Sequence, residues 1–358
     1  MNRIGAGIHN LVNAAEKLLR VIDRFQQRRR WLAFPVAVWK KFGDDRAGNL
    51  AALIAFYSFV SIFPLLLVLV TVLDLVLMHD PALRQKVLSS ALADYPVIGP
   101  QLRASVRALH ETGAALAIGL AAIFLGARGV AAAAQNAFNT VWEVPLSQRP
   151  GFPWSWLRSI GLIAVVGLGE TLTSVLSGIA GGAGHVITGA GAHIGAIAVS
   201  LVLNIGLFWL GFRLATARVV AGRDLRLGAL VAGVAWQILQ IAGGYVVAHQ
   251  LAHSSSLYGA FGIVLGLIAW LYLQAEITLY AVEVNVVQAS GLWPRSLFPP
   301  PLTTQDRRAL QLYAKAQERR PEEVIDVRIS AGPFGAGGSG GTRSVVPPGG
   351  STKPPSGP

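Results

Sequence analysis

The ionisable residues inside the longest apolar run are the first candidates for chemistry. Ser256 to Ala289 reads SLYGAFGIVLGLIAWLYLQAEITLYAVEVNVVQA, interrupted only by Gln274, Glu276, Glu283 and Asn285. Glu276, Tyr280 and Glu283 are spaced four and three apart and share one face of a helix. About 20 apolar residues cross ~30 Å of hydrocarbon, and this run is longer than that. A carboxylate at such depth is costly unless it meets a partner or a wet cavity. The chemistry open to it is ion pairing, or recognition of a headgroup, an anion or a proton.

Two more charges sit in comparable places. Arg128 lies about two-thirds along a second apolar run, and Glu170 midway along a third. Their depth is similar to that of Glu276, so Arg128 can pair with one of the two carboxylates. Two readings follow. One is a packing ion pair that fixes helix register, and the other is a polar cavity with Tyr280 on its wall. Asn136 and Asn139 continue the second run into an interface and join the cavity candidates. Glu283 and Asn285 lie nearer the helix end, where solvation is cheap, so their expected role is blander.

His249 and His253 have the i, i+4 spacing that can put two imidazoles on one metal. They sit in a short polar connection where histidine is well tolerated, so no metal and no cofactor is expected.

The elements that must position these residues are helices. The chain has 358 residues, 53% hydrophobic and only 13% charged, with no cysteine; a soluble domain carries about 25% charged residues. Six apolar runs stand out, at about 46–78, 113–134, 157–180, 194–215, 227–248 and 256–289. Pro64 falls inside the first, which predicts a kink near Val60 to Pro64 with Ser58 and Ser61 near enough to satisfy freed backbone groups. Trp31 to Phe42 suits a helix lying at the interface, and Asp44 and Asp45 can cap the helix after it. Weak amphipathic patterns cover Ala82 to Ala93 and Pro100 to His110. Gly178 with Gly182, and Gly262 with Gly266, have the spacing of close helix contacts.

Charge placement gives orientation. The segment up to Arg46 holds ten Lys and Arg, and the stretch after Gly291 holds nine more. Arg149 and Arg158 mark the second-to-third connection, and Arg213, Arg218, Arg223 and Arg226 the fourth-to-fifth. The third-to-fourth and fifth-to-sixth connections hold none; only the first-to-second loop breaks the contrast, with Arg84, Lys86, Arg103 and Arg107. The positive-inside rule then puts both termini in the cytoplasm. The expected fold is an all-α polytopic integral membrane protein with six transmembrane helices. Residues 1–45 form a basic interfacial segment, 46–290 the transmembrane domain, and 291–358 a cytoplasmic tail. In that tail a short helix at about 304–320 is capped by Thr303 or Thr304, and the Gly, Pro and Ser composition beyond about Ser330 predicts disorder.

The net charge of +12 is accounted for by topology and by attraction to anionic headgroups at the cytoplasmic face, about 1 kcal/mol per residue near the surface. No basic groove interleaved with aromatics suggests nucleic acid. No Walker loop is present.

Three stretches carry a family resemblance. They are DRAGNLAALIAFYSFVSIFPLLLVL (Asp45 to Leu69), AQNAFNTVWEVP (Ala134 to Pro145) with Arg149 following, and LYGAFGIVLGLIAWLYLQAEITLYAVEVN (Leu257 to Asn285). Across roughly residues 35 to 290 the chain resembles the YihY/virulence factor BrkB family of bacterial inner-membrane proteins. The family often shows Gly-Ala-Glu-Leu-Asn where this chain has Ala281, Val282, Glu283, Val284 and Asn285. The resemblance implies an inner-membrane location and a link to envelope integrity, with lipid or amphiphile export among the proposed roles. Some members were once labelled ribonuclease BN, but no soluble region here gathers the carboxylates or histidines that phosphodiester cleavage needs. The expected role is non-enzymatic transport or handling of an amphiphilic envelope component; a non-transporting scaffold for envelope assembly is the alternative. Membrane lipids are the expected partners, and homo-oligomerisation stays open.

Overall fold

The computed structural model describes residues 19–76, 113–182, 190–250 and 259–329. The helix patterns sought between 82 and 110, His253, and the tail beyond 330 lie outside them. All regular elements among the described residues are helical. After a helical segment over 19–28 comes α1 (Arg30–Asp44). Six long helices follow: α2 (Ala47–Val76), α3 (Gly113–Val141), α4 (Trp154–Gly182), α5 (Ala190–Ala215), α6 (Arg226–Gln250) and α7 (Gly259–Ser290). They lie where the six apolar runs were read. A shorter helix, α8 (Thr304–Lys315), starts at a capping box formed by Thr303 and Asp306; it ends about a turn earlier than the sequence suggested. Residues 327–358 form a separate unit from 1–326.

Each long helix packs on the next in sequence, and α7 returns to α2, so the six close a ring. Helix α3 also reaches α5 and α7 across it, and α1 lies against α7 and α2. The surface of this ring is apolar. Phe56, Leu125, Val166, Val202, Ile238 and Leu265 are exposed, one from each long helix. Two segments, Ile197–Ala215 and Val264–Ser290, are long and apolar enough to cross a bilayer, with 11% and 17% of their apolar windows buried. The core helix of a soluble protein would be mostly buried, so these compositions fit contact with lipid. Ala47–Ile62 and Trp154–Gly167 are shorter apolar stretches.

The described core gathers at one end of the ring. There the start of α2 (Ala47, Ala51), the end of α3 (Ala137, Val141) and the end of α5 (Phe212, Ala215) meet the start of α6 (Ala229, Ala232) and the end of α7 (Leu279, Val286). Small side chains let these backbones approach closely. A Cβ added at Gly129 would come within 2.7 Å of the Tyr57 ring, and one at Gly126 equally near Ser61 Oγ. Gly266, by contrast, faces open space, so the spacing of Gly262 and Gly266 does not translate into a close contact at Gly266. The surroundings of Gly178 and Gly182 lie outside the description. Helix α2 runs unbroken through Pro64. Ser61 Oγ donates to the Tyr57 carbonyl at 2.7 Å, whereas the carbonyl that Pro64 deprives of a donor is that of Val60.

Candidate functional site

The closed end of the ring holds a buried ionic cluster built around Lys41. Trp31 and Trp39 are exposed while Ala33, Ala37, Val38, Lys41 and Phe42 are buried, so α1 turns its Lys41 face into the bundle. Lys41 Nζ donates to Asp45 Oδ2 at 2.5 Å, to Glu143 Oε1 at 2.6 Å and to the Val141 carbonyl at 2.9 Å. Those bonds use all three ammonium protons. Glu283 Oε2 lies 3.6 Å away as a further ion-pair partner, and the Tyr313 ring of α8 sits 5.5 Å from the same nitrogen. Asp45, at the α1–α2 turn, thus gives its carboxylate to Lys41 and not to a helix N–H.

Glu143 reaches Lys41 through an unusual backbone. Its φ is +54°, the left-handed region where glycine is the usual occupant. It follows the end of α3 in a Schellman turn: Glu143 N–H donates to the Thr140 carbonyl at 3.0 Å and Val144 N–H to that of Asn139 at 2.9 Å. A β-carbon there costs roughly 1 kcal/mol or more; the hydrogen bond from Lys41 gives the glutamate a reason to stand in it.

One cation faces three buried carboxylates. Burial pushes Asp45 up, against the pull of Lys41, and pushes Glu143 up to about 7. Burial alone would lower Lys41, but Glu283, Asp45 and Glu143 more than offset it and hold it well above its usual range. Glu143 therefore keeps its proton to higher pH than an ordinary glutamate while Lys41 stays charged.

Beside it, the C-terminal segment is tied to the N-terminal helices. Asp306 accepts from Arg295 Nε and Lys40 Nζ, both at 3.0 Å, and from the Ser296 N–H at 3.0 Å. Burial would raise Asp306, but these bonds and the two from Thr303 hold it at about 2. Arg295 also pairs with Asp44 at 2.8 Å. Asp23 accepts from Ser296 Oγ at 3.0 Å and from the Leu297 N–H at 2.9 Å.

Along the flank of α3, a cleft of about 180 Å³ opens between α3 and the start of α4, lined by Arg128, Asn136, Arg149 and Ser155 among others. Arg128 packs its guanidinium over the Trp156 ring, 5.4 Å from the centroid, and its Nε is buried without a hydrogen-bond partner. Arg149 Nη1 donates to Asn136 Oδ1 and its Nε to the Val144 carbonyl, both at 3.1 Å. Gln135 Nε2 donates to Ser159 Oγ at 2.9 Å. Among the described residues, no carboxylate lines the cleft.

The sequence candidates thus separate. Arg128, Asn136 and Asn139 share the cleft wall. Arg128 makes no ion pair with a described carboxylate, and Glu276, half-buried on α7, makes none with a described cation, so their expected pairing is not formed. The side chain of Glu170 on α4, and that of His249, lie outside the description. Tyr280 does not line this cleft; it stacks on Phe42 of α1 with ring centroids 3.9 Å apart. Glu283 and Asn285, expected to be cheaply solvated, are both fully buried, because α1 covers the end of α7.

The two asparagines act as caps for other helices. Asn285 Oδ1 of α7 accepts from the Gly228 N–H in the first turn of α6, at 2.5 Å. Asn139 of α3 accepts from the Ala217 N–H at 2.8 Å and reaches the Ala215 carbonyl at the end of α5. Both satisfy backbone groups that a helix end leaves open. A Cβ at Gly228 would come within 2.1 Å of the Ala281 carbonyl. The small residue at this crossing is therefore supplied by α6, opposite Ala281.

Residues 38–292 match the family model described as Virulence factor BrkB. The chain belongs to that family. It is 26% identical over 305 residues to the Inner membrane protein YhjD of Escherichia coli, covering 78% of this chain and 85% of that protein. It is 25% identical over 323 residues to the UPF0761 membrane protein RSc1559 of Ralstonia nicotianae, covering 87% and 69%. No solved structure matches. The matched region takes in both Lys41 with its carboxylates and the arginine cleft.

Proposed function

We propose that the six long helices each cross the bacterial inner membrane with both termini in the cytoplasm, and that the protein moves or handles an amphiphilic, lipid-like envelope component without catalysing a reaction. The observation that carries this reading is the α3–α4 cleft. It holds Arg128 about 9 Å inside the end of the apolar run at about 134, at 1.5 Å per residue, in a bundle with an apolar exterior. A cation at membrane depth without a counter-charge marks a place where a polar or anionic group is received. The basic residues at the end holding α1, α8 and the connections after α3 and α5 support a cytoplasmic assignment of that end.

In proteoliposomes, the wild-type chain should speed transbilayer movement of a fluorescent anionic amphiphile over protein-free vesicles, and Arg128→Gln should slow it. Equal rates with and without protein would sink the transport reading. The scaffold reading is favoured by one specific observation, the network that binds Asp23, Lys40, Arg295 and Asp306 into a fixed end. It predicts envelope rescue by a variant inactive in this assay.

A further inference from the structure

We infer that the α3–α4 cleft is a phosphate-binding site, with Arg128 and Arg149 as its two cationic arms. The inference rests on the amphiphile reading above and names the chemistry of the group received. Three observations point to an anion with more than two acceptor oxygens.

The first is the donor set. Arg128 and Arg149 both line the cleft, Asn136 retains its Nδ2 donors because only its Oδ1 is engaged by Arg149, and Ser155 adds a hydroxyl. The second is what is missing: among the described residues no acidic side chain lines the space, and neither arginine forms a salt bridge with a described carboxylate. Arg158, Arg213 and Arg218 stand around the same end of α4, with Arg158 donating to the Thr216 carbonyl at 3.0 Å and Arg218 over the Trp154 ring. The local field is positive, and no described carboxylate pairs with these arginines. The third is the orphan Nε of Arg128, buried and without a partner. A buried guanidinium nitrogen left unsatisfied is costly, and an oxyanion in the cleft would satisfy it.

Chemistry then chooses among anions. A carboxylate offers two oxygens and one charge, which a single arginine fork fills. Two separately anchored guanidiniums and extra neutral donors suit a phosphate monoester or phosphodiester, whose oxygens project in several directions. The cleft's volume of about 180 Å³ accommodates a headgroup and not an acyl chain, so the chain of a lipid ligand would remain outside, along the exposed apolar flank at Phe124 and Leu125. Burial already pushes the Arg149 guanidinium below its usual range, the expected condition of a cation awaiting its counter-ion.

The test titrates the full chain in phosphatidylcholine nanodiscs by calorimetry with three probes: short-chain phosphatidic acid, inorganic phosphate and a short-chain fatty acid. Phosphatidic acid should bind the wild type, and Arg128→Gln and Arg149→Gln should each weaken it ten- to hundredfold, as for loss of one charge-assisted contact. Inorganic phosphate binding with the same arginine dependence would identify a free anion as the source and support the site. Binding of phosphatidic acid alone would identify a lipid headgroup. Fatty acid binding as tight as phosphatidic acid, or phosphatidic acid affinity unchanged in both variants, would overturn the inference. So would no binding of either phosphate probe. Arg128→Lys keeps charge but not the fork, and should recover only part of the affinity. Arginine-dependent binding without transbilayer movement in proteoliposomes would keep this site and sink the transport reading; movement indifferent to Arg128 and Arg149 would do the reverse.

Discussion

The substitution Glu143→Gln has an effect whose sign reverses common expectation for removing an ion-pair partner. Glu143 titrates at about 7 in the folded protein against an ordinary 4.5, because burial outweighs the pull of Lys41. The folded state therefore holds more protons than the unfolded chain between those two values, and stability falls as pH rises through that window. Across roughly 2.5 units at 1.36 kcal/mol each, the loss comes to about 3 kcal/mol. Below pH 4.5 both states are protonated and the group is neutral to stability. A glutamine keeps an oxygen for Lys41, which now donates at 2.6 Å, but has no proton to lose. Thermal unfolding of the two proteins in nanodiscs should give near-equal stability at pH 5 and a more stable variant at pH 8.5, by up to about 3 kcal/mol. A variant less stable than the wild type at pH 8.5 would refute the reasoning, since it would mean that ionised Glu143 is a net favourable partner of Lys41.

Other consequences follow from the same geometry. Lys41→Met removes the cation that Asp45, Glu143 and Glu283 share and should cost about 3–5 kcal/mol at pH 8, less at pH 5 as the carboxylates take up protons; equal losses at both values would contradict the charge count. Gly228→Ala forces α6 away from the Ala281 carbonyl and breaks the cap from Asn285, so a loss of about 3 kcal/mol or more is expected in a chemical unfolding titration. A mild loss there would mean that the α6–α7 crossing is loosely set. For topology, a reporter active only in the cytoplasm should give signal at positions 220 and 320 and none at 95, 188 and 254; signal at 188 would break the six-span arrangement.

What could be read ahead, and what could not, divides by distance along the chain. The long helices were legible because apolar runs declare themselves locally, and the Thr303 cap because its box lies within four residues. Arg128, Asn136 and Asn139 were legible as polar residues on an apolar helix. The ionic cluster was not. Lys41 has the look of an interfacial lysine, and its partner Glu143 is 102 residues away. Glu143 itself carries no signal beyond the proline two residues later, since a glutamate in a left-handed helix-terminating position is a tertiary decision. The burial of Glu283 could not be foreseen without knowing that α1 folds back over the end of α7. Asn285 and Asn139 read as cavity polar groups because the helix ends they cap belong to other helices.

Native mass spectrometry of the whole chain, carried from its own membrane in polymer discs, tests the central claim most directly. Ala132 is exposed on the cleft wall, so Ala132→Trp fills the cleft with little disturbance of the bundle. The wild type should retain a phosphate-bearing amphiphile that Ala132→Trp loses, with the mass of the released species giving its identity. An equal complement of bound amphiphiles in both proteins, or none in the wild type, would contradict the assignment of the cleft as the place where this protein receives its ligand.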